Sequence, residues 1–427
     1  VNSLEKRRVF YGWVVLSIAF LTIVFGYAVR NTFSVFYPTI VEEFGWGRAN
    51  TALMFSISIV VYGLVAPLAG GLVDRFGPRL VLPLGACVMG GGIALCSLAD
   101  AQWQFYLLYG VVVAVGLSLA GWTPLSTIVS SWFVEKRGLA FGILAAGFGS
   151  SLVTASIAQF LISSFGWQTA YVIMGLFSIG VIAPICMVFL RSSPRKEEVL
   201  HERHVDEFQR TASLRAKWIG TTWTLSRALK TYHFWLLFAI DFCALGLAEQ
   251  IAVAHTVYFF KDVGYALMEA ATIYSIFGVA FVIGTLCSYF SDRLGRETVF
   301  IPSCLISAGA ASLLFLVRDT SQPWMAFLFA VCFGLGLGAV GPIFFATVAD
   351  LFGGRYFGSI LGIATLGFSL GGGISPWLAG FIYDKTNSYS VSFLIVIGSL
   401  VASAVLMWLI APRKLRLVPS RAPRQLS

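Results

Sequence analysis

Apolar runs of about 18 to 25 residues recur along the chain, separated by short polar breaks. Twelve are visible, at 10–34, 50–72, 79–98, 103–130, 139–163, 168–190, 232–258, 268–290, 298–317, 323–348, 357–382 and 390–411. Each is long enough to cross roughly 30 Å of hydrocarbon at about 1.5 Å per residue. The runs are too long and too uniformly apolar for the alternating strands of a barrel. A helix satisfies its own backbone hydrogen bonds within lipid, so the pattern predicts an all-α membrane protein with twelve transmembrane helices.

One interval recurs. DRFGPR (Asp74 to Arg79) follows the second run and DRLGR (Asp292 to Arg296) follows the eighth, 218 residues later. At the same offset, Thr123 and Pro124 of the fourth run match Gly341 and Pro342 of the tenth, and Arg137 matches Arg355. Three landmarks at one offset predict two six-helix pseudo-repeats. The expected layout is an amino-terminal half at 1–190, a cytoplasmic linker at 191–230, a carboxyl-terminal half at 231–411 and a tail at 412–427. The linker has nine Lys and Arg, five Asp and Glu and no long apolar run. Its segment SLRAKWIGTTWTLSRALK suits a surface helix with Trp218 and Trp223 at the membrane interface.

Composition supports the membrane reading: 58% of the 427 residues are hydrophobic and 11% are charged. Charge placement adds orientation. With the amino terminus cytoplasmic, 24 Lys and Arg lie on that side, and only Arg48, Lys261, Arg318 and Lys385 lie opposite. The positive-inside rule then puts both termini in the cytoplasm, in the plasma or inner membrane. The net charge of +9 reflects this topology and an anionic leaflet, and points away from nucleic acid. EKRRVFYGWVV has a basic and an apolar part like a signal peptide, but the apolar part is too long and is read as a retained first helix. All seven cysteines fall in apolar spans without CxxC or His-Cys spacing, which predicts packing roles and no metal. Trp13, Trp46, Trp103, Trp167, Trp235 and Trp324 sit at span ends as expected interface anchors.

Few ionisable groups lie well inside the runs: Arg30 in the first, and Asp241, Glu249 and His255 in the seventh. Each charge costs about 2.5 to 3.5 kcal/mol at a helix centre, so each is expected to face a cavity or a partner. Trp13 and Trp235 align these two runs at an offset of 222, which puts Arg30 and Glu249 about three residues apart in depth, roughly 4.5 Å. Arginine offers a planar fork for a carboxylate, and Tyr27, Asn31 and Ser34 lie beside it at helical spacing. Arg30 either grips a substrate anion, pairs with Glu249 or snorkels to the outer headgroups. A buried carboxylate whose charge is disfavoured can carry a proton. Asp241 is the better candidate, because no basic residue lies near its depth; Glu249 is a switch for Arg30, and His255 a relay or an interfacial donor. Trp122 with Thr123 and Ser126 is a candidate wall and donor for a small substrate.

Two parallel six-helix repeats with a hydrophilic middle loop resemble the major facilitator fold, in which substrate binds near the midplane and the halves rock around it. GGLVDRFGPR matches that superfamily's G-x-L-a-D-R-x-G-x-R loop signature in full, whereas SYFSDRLGR lacks the opening glycine and leucine. The resemblance implies gating roles for Asp74, Arg75, Arg79, Arg137, Asp292, Arg293 and Arg355 through ion pairs on the cytoplasmic face that break when it opens. FYGWVV (Phe10 to Val15) and WFVEKRGLAFGILAAGFGSS (Trp132 to Ser151) resemble the two signatures of the monocarboxylate transporter family, shading into the oxalate/formate exchangers. Animal members are understood to carry an Asp/Arg pair in helix 8, and the eighth run here, ATIYSIFGVAFVIGTLCS, has no charge. Either Arg30 supplies the countercharge, or the substrate is not a simple lactate-like anion.

The leading expectation is a secondary active transporter of small organic anions, coupled to protons and working by alternating access without a cofactor. The alternatives are an oxalate/formate-type exchanger, a proton-driven exporter of amphipathic compounds and, in a different class, a transporter-like membrane sensor. No ATP-binding loop and no nucleophile, base and oxyanion set appear, so neither ATP drive nor an enzyme is expected. The implied partners are a small carboxylate, protons and the lipid bilayer. The sequence fixes no oligomeric state, and a monomer is compatible with it.

Overall fold

The structure is a computed structural model that describes residues 2–133, 137–190, 223–352 and 357–410, with side chains described except at 2–10, 74, 130, 131 and 137–139. No strand occurs among the described residues. The long helical elements are α1 (Tyr11–Phe44), α2 (Arg48–Val73), α3 (Pro78–Cys96), α4 (Gln102–Val129), α5 (Ala140–Phe189), α6 (Tyr232–Val263), α7 (Leu267–Leu294), α8 (Arg296–Leu313), α9 (Pro323–Phe352), α10 (Phe357–Thr386) and α11 (Ser390–Ile410).

Ten of these are long and apolar enough to cross a membrane, against the twelve spans expected. The difference has two sources. The runs 139–163 and 168–190 continue into one another without a loop as α5, whose 50 residues form two helical arms meeting at Gly166, with φ 81° and ψ 159°. Only glycine adopts that backbone without strain. The run 298–317 becomes α8, of 18 residues, which opens on Arg296 and Glu297 and carries Ser303, Ser307 and Ser312. These polar groups keep it below the hydropathy of the other spans.

The polarity gradient is that of a bundle in lipid. Leu64, Leu68, Leu80, Leu84, Leu98 and Leu305 are at least half exposed, while Arg30, Asn31, Asp241, Glu249, Gln250 and His255 are buried. Apolar side chains face outward because the surroundings are apolar, and polar groups are retained where other helices satisfy them. The elements before residue 191 pack largely on one another, as do those after 222; α1–α6, α2–α10 and α5–α7 join the two sets. Glycines set the closeness of these contacts. A Cβ at Gly380 of α10 would lie 2.8 Å from the Ala49 backbone of α2, so that seam requires glycine.

Three elements are interrupted at a threonine. At Thr32 in α1, Thr154 in α5 and Thr365 in α10, ψ falls to between −8° and −3°. Each hydroxyl donates to a carbonyl three or four residues earlier: Ala28, Ser151 and Gly362. Such back-bonding competes with the helical ladder and bends it. The interruption releases downstream N–H groups, and two of these are taken up by side chains of the other elements: Ser156 N–H donates to Ser275 Oγ at 3.2 Å and Phe368 N–H to Asp241 Oδ2 at 2.6 Å.

Two expected interface tryptophans lie elsewhere. Trp167 is only 4% exposed, packed among Phe44, Phe105 and Tyr171, because it starts the arm after Gly166, which packs inward against α3. Trp223 packs edge-on against Phe352 at 5.1 Å, just before the short helix Leu225–Leu229. Trp103, Trp235 and Trp324 are more than half exposed, as anchors are. The rest of the expected linker, 191–222, lies outside the described residues.

Candidate functional site

Arg30 lies two residues before the interruption in α1, and its carbonyl accepts a 2.9 Å hydrogen bond from the Tyr109 hydroxyl of α4. Its side chain is 2% exposed, and among the described residues none of its three guanidinium nitrogens has a hydrogen-bond partner. Three rings enclose it instead. The guanidinium carbon stands 5.1 Å from the Tyr27 ring, 5.6 Å from Tyr62 and 5.8 Å from Phe368. Cation–π contact recovers part of the lost hydration, but leaves five N–H donors with nothing to donate to. A desolvated fork without an acceptor is costly, and an anion is the group that would satisfy it.

Neighbouring polar groups are more settled. The Tyr27 and Tyr62 hydroxyls are 2.9 Å apart, and Asn31 Nδ2 donates to Ser151 Oγ at 2.8 Å, which leaves Asn31 Oδ1 unpaired. No ion pair joins Arg30 to Glu249. Glu249 accepts from Gln250 Nε2 at 3.2 Å, so the expected pairing of Arg30 with Glu249 is not made here. Asp241 holds the Phe368 N–H through one oxygen, and its Oδ1 is buried without a partner. Both carboxylates are on α6, which is drawn against α10 by glycines: a Cβ at Gly371 would lie 2.5 Å from the Phe242 carbonyl oxygen.

His255 is engaged at both ring nitrogens. Nε2 lies 2.8 Å from the Pro376 carbonyl oxygen, which can only accept, so Nε2 carries the hydrogen. Nδ1 lies 3.1 Å from the Tyr389 hydroxyl, which already accepts from Arg48 Nη1 at 3.0 Å. With the hydrogen of a neutral ring on Nε2, Nδ1 accepts from Tyr389, and the chain runs from Arg48 to Tyr389 to His255 to Pro376. The ring is neutral in this arrangement.

Arg48 leads to a cluster that the sequence reading left among loop charges. At the end of the bundle remote from Tyr11, here the distal end, its guanidinium bonds both oxygens of Asp262 at 2.5 and 2.8 Å. Tyr258 and Tyr383 sandwich it at 3.7 and 3.5 Å. Asp384 accepts the N–H groups of Arg48 and Ala49 at 3.1 and 2.9 Å, capping the first turn of α2, and Lys261 pairs with Glu42. Every one of these contacts joins the chain's first half to its second. The available signal was the sign pattern: Glu42 and Arg48 flank the first break, and Lys261, Asp262 and Asp384 stand at the ends of α6 and α10.

The other sequence candidates are spread along the opposite end. Asp292 pairs with Arg296 at 2.8 Å, and Arg296 also bonds Asp350 at 2.8 Å and Ser291 at 2.8 Å, so Arg296 is the hub there. Arg293 is exposed and reaches the Tyr289 hydroxyl at 3.3 Å; Arg75 and Arg79 are exposed. The side chains of Asp74 and Arg137, and all of Arg355, lie outside the description. Trp122 stacks on Phe345 of the second half with centroids 6.1 Å apart. Ser126 donates to the Thr123 carbonyl on its own helix.

Comparison with known proteins agrees with this architecture. The family described as Major Facilitator Superfamily matches residues 19–374 and 285–426. Monocarboxylate transporter 2 of Mesocricetus auratus is 28% identical over 398 residues, covering 90% of this chain and 80% of that protein. The uncharacterized MFS-type transporter YcxA of Bacillus subtilis is 26% identical, covering 92% and 94%. Among solved structures, a bacterial homolog of the human lysosomal transporter Spinster, inward-facing and occupied, superposes with a TM-score of 0.65 at 18% identity, over 94% of this chain and 95% of that one. Its unoccupied inward-facing form gives 0.63.

Proposed function

The chain belongs to the major facilitator superfamily, and on that premise we propose that it carries small organic monocarboxylates across the membrane with protons, by alternating access. It is an integral, multi-pass membrane transporter and not an enzyme. The observation that carries the substrate class is the buried Arg30 guanidinium without an acceptor. The names of the monocarboxylate transporter relatives favour the same class. A carboxylate at Arg30 would take two parallel hydrogen bonds from the fork, within reach of Tyr27 and Asn31. One guanidinium facing two buried carboxylates, Asp241 and Glu249, suits a monoanion; a dianion would bring a second negative charge with no cation to meet it.

In this proposal Asp241 and Glu249 are the proton-binding groups, and His255 of α6 joins the Pro376 carbonyl of α10 to the distal cluster through Tyr389. Arg48, Asp262, Asp384, Glu42 and Lys261 form a latch that closes the distal end while the site communicates with the opposite end. Positive-inside charge placement makes the distal end extracellular. Release of the latch and re-pairing of the charged loops around Arg75, Arg79, Arg137, Asp292, Arg293 and Arg355 would exchange access from one side to the other, with the halves at 1–190 and 231–411 moving as units.

Uptake of labelled small carboxylates into proteoliposomes tests this directly. Accumulation should rise with an imposed inward proton gradient. Uptake that ignores the gradient and requires internal anion would establish exchange instead, and binding without flux would make the protein a sensor.

A further inference from the structure

We propose that Phe368 is the movable wall of the Arg30 anion site and that Asp241 sets its position, so that a proton on Asp241 and an anion on Arg30 bind together. The proposal deepens the transport reading above and rests on it.

Arg30 is enclosed on all sides given by its contacts, so an incoming carboxylate must displace a ring. The three rings are not equivalent. Tyr27 is on the same helix as Arg30, three residues away, and is joined through its hydroxyl to Tyr62 at 2.9 Å. Those two move with the first half. Phe368 belongs to the second half and stands 5.8 Å from the guanidinium carbon, with no hydrogen bond possible from its ring. It is the third residue of the helical arm Leu366–Thr386, just after the interruption at Thr365. Its backbone N–H, released by that interruption, is held by Asp241 at 2.6 Å. Gly367 makes the contact possible, since a Cβ there would lie 2.5 Å from the Phe238 carbonyl oxygen and 3.2 Å from the Asp241 Cβ. The wall of the anion site is therefore tethered through one peptide group to a buried acid.

The tether is strongest when Asp241 is ionised. A carboxylate accepting a backbone N–H in the first turn of a helix gains from both the charge-assisted bond and the aligned peptide dipoles. A proton on Asp241 removes most of that gain, and the first turn of the arm is freed to carry Phe368 off Arg30. The converse follows from linkage: an anion that pushes Phe368 aside breaks the tether, leaves the Asp241 carboxylate buried without its donor, and so favours its protonation. Few other charges compete. Glu249 on the same helix interacts with Asp241, and Arg30 on α1 stands across the Phe368 ring. On the packed neighbours, α11 has no charged residue, α10 has only Asp384 and Lys385 at its distal end, and α9 has only Asp350, which Arg296 holds.

Amide hydrogen exchange of the full-length protein in lipid nanodiscs tests the tether without any substrate. After the intrinsic pH dependence of exchange is divided out, protection over 365–369 should rise by about tenfold or more from acid to alkaline pH, the worth of one hydrogen bond to a charged group. The rise should vanish in Asp241→Asn and persist in Asp241→Glu, which keeps a titrating acid. In uptake of labelled lactate, the KM of Phe368→Ala should lose its dependence on pH, and Phe368→Tyr should keep it. Flat protection in the wild type, a rise that survives Asp241→Asn, or a wild-type pH profile in Phe368→Ala overturns the proposal while leaving proton-driven uptake intact. Failure of proton-driven uptake despite pH-dependent protection sinks the transport reading, and with it the anion half of this one.

Discussion

Arg30 combines complete burial with five N–H donors that have no acceptor, a state that a protein keeps only where something else supplies the acceptor. Its replacement therefore separates structure from function. Arg30→Ala removes an unsatisfied charge, so the protein should fold at least as well, while carboxylate uptake should fall by about tenfold or more, as expected for loss of a charged hydrogen-bonding partner. Arg30→Lys keeps the charge but loses the fork, and should raise KM more than it lowers the maximal rate. Labelled-carboxylate kinetics and melting curves of both variants check this; normal uptake by Arg30→Ala would remove the residue from the site. Arg30 was legible in the sequence because one charge in an apolar run is conspicuous. Its surroundings were not: Phe368 is an ordinary aromatic in an apolar run, and nothing local ties it to Asp241, 127 residues earlier.

Helices α6 and α10 show how an element turns side-chain size into function. Gly246 and Gly371 oppose each other, and a Cβ on Gly246 would come within 2.8 Å of the Gly371 Cα. This near contact brings Asp241 within reach of the Phe368 N–H. Gly371→Ala should push the two helices apart at a cost of about 1 to 3 kcal/mol, typical of overpacking. Its melting temperature should fall, and the protection over 365–369 should fall with it. Gly309, with nothing within 4 Å of an added Cβ, is the control: Gly309→Ala should change neither. The sequence places Gly246 in one of these runs and Gly367, Gly371, Gly372 and Gly373 in the other. Which glycine meets which depends on helix rotation and depth, and those are set only when all the helices are assembled.

At the scale of the whole molecule, the proposed distal latch is the largest set of polar contacts between the chain's halves among the described residues. Arg48 is its centre, holding Asp262 with two bonds, Tyr389 with a third, and two tyrosine faces. Arg48→Ala should shift the population toward a distally open form, so that a cysteine placed near Arg30 becomes reactive to a membrane-impermeant thiol reagent from the distal side. Asp262→Ala should do the same, and the double variant should add little, because both remove one interaction. Tyr389→Phe, which cuts the chain from Arg48 to His255, should give a milder shift in that labelling assay. The apolar runs and the rarity of charge within them follow from local hydrophobicity, which the chain states residue by residue; they determined a helical membrane protein and pointed to Arg30, Asp241 and Glu249, while the landmarks 218 residues apart raised the expectation of two halves. The span count was less fully legible, since a loopless turn at Gly166 and a polar α8 depart from the simple pattern. Only the tertiary structure decided that Arg30 is boxed by rings and not paired with Glu249, that His255 is fixed between Tyr389 and Pro376, and that Arg48 ties the first half of the chain to the second. Each of those depends on side chains brought together from helices far apart in sequence, and a linear pattern does not carry the rotation and depth at which helices meet.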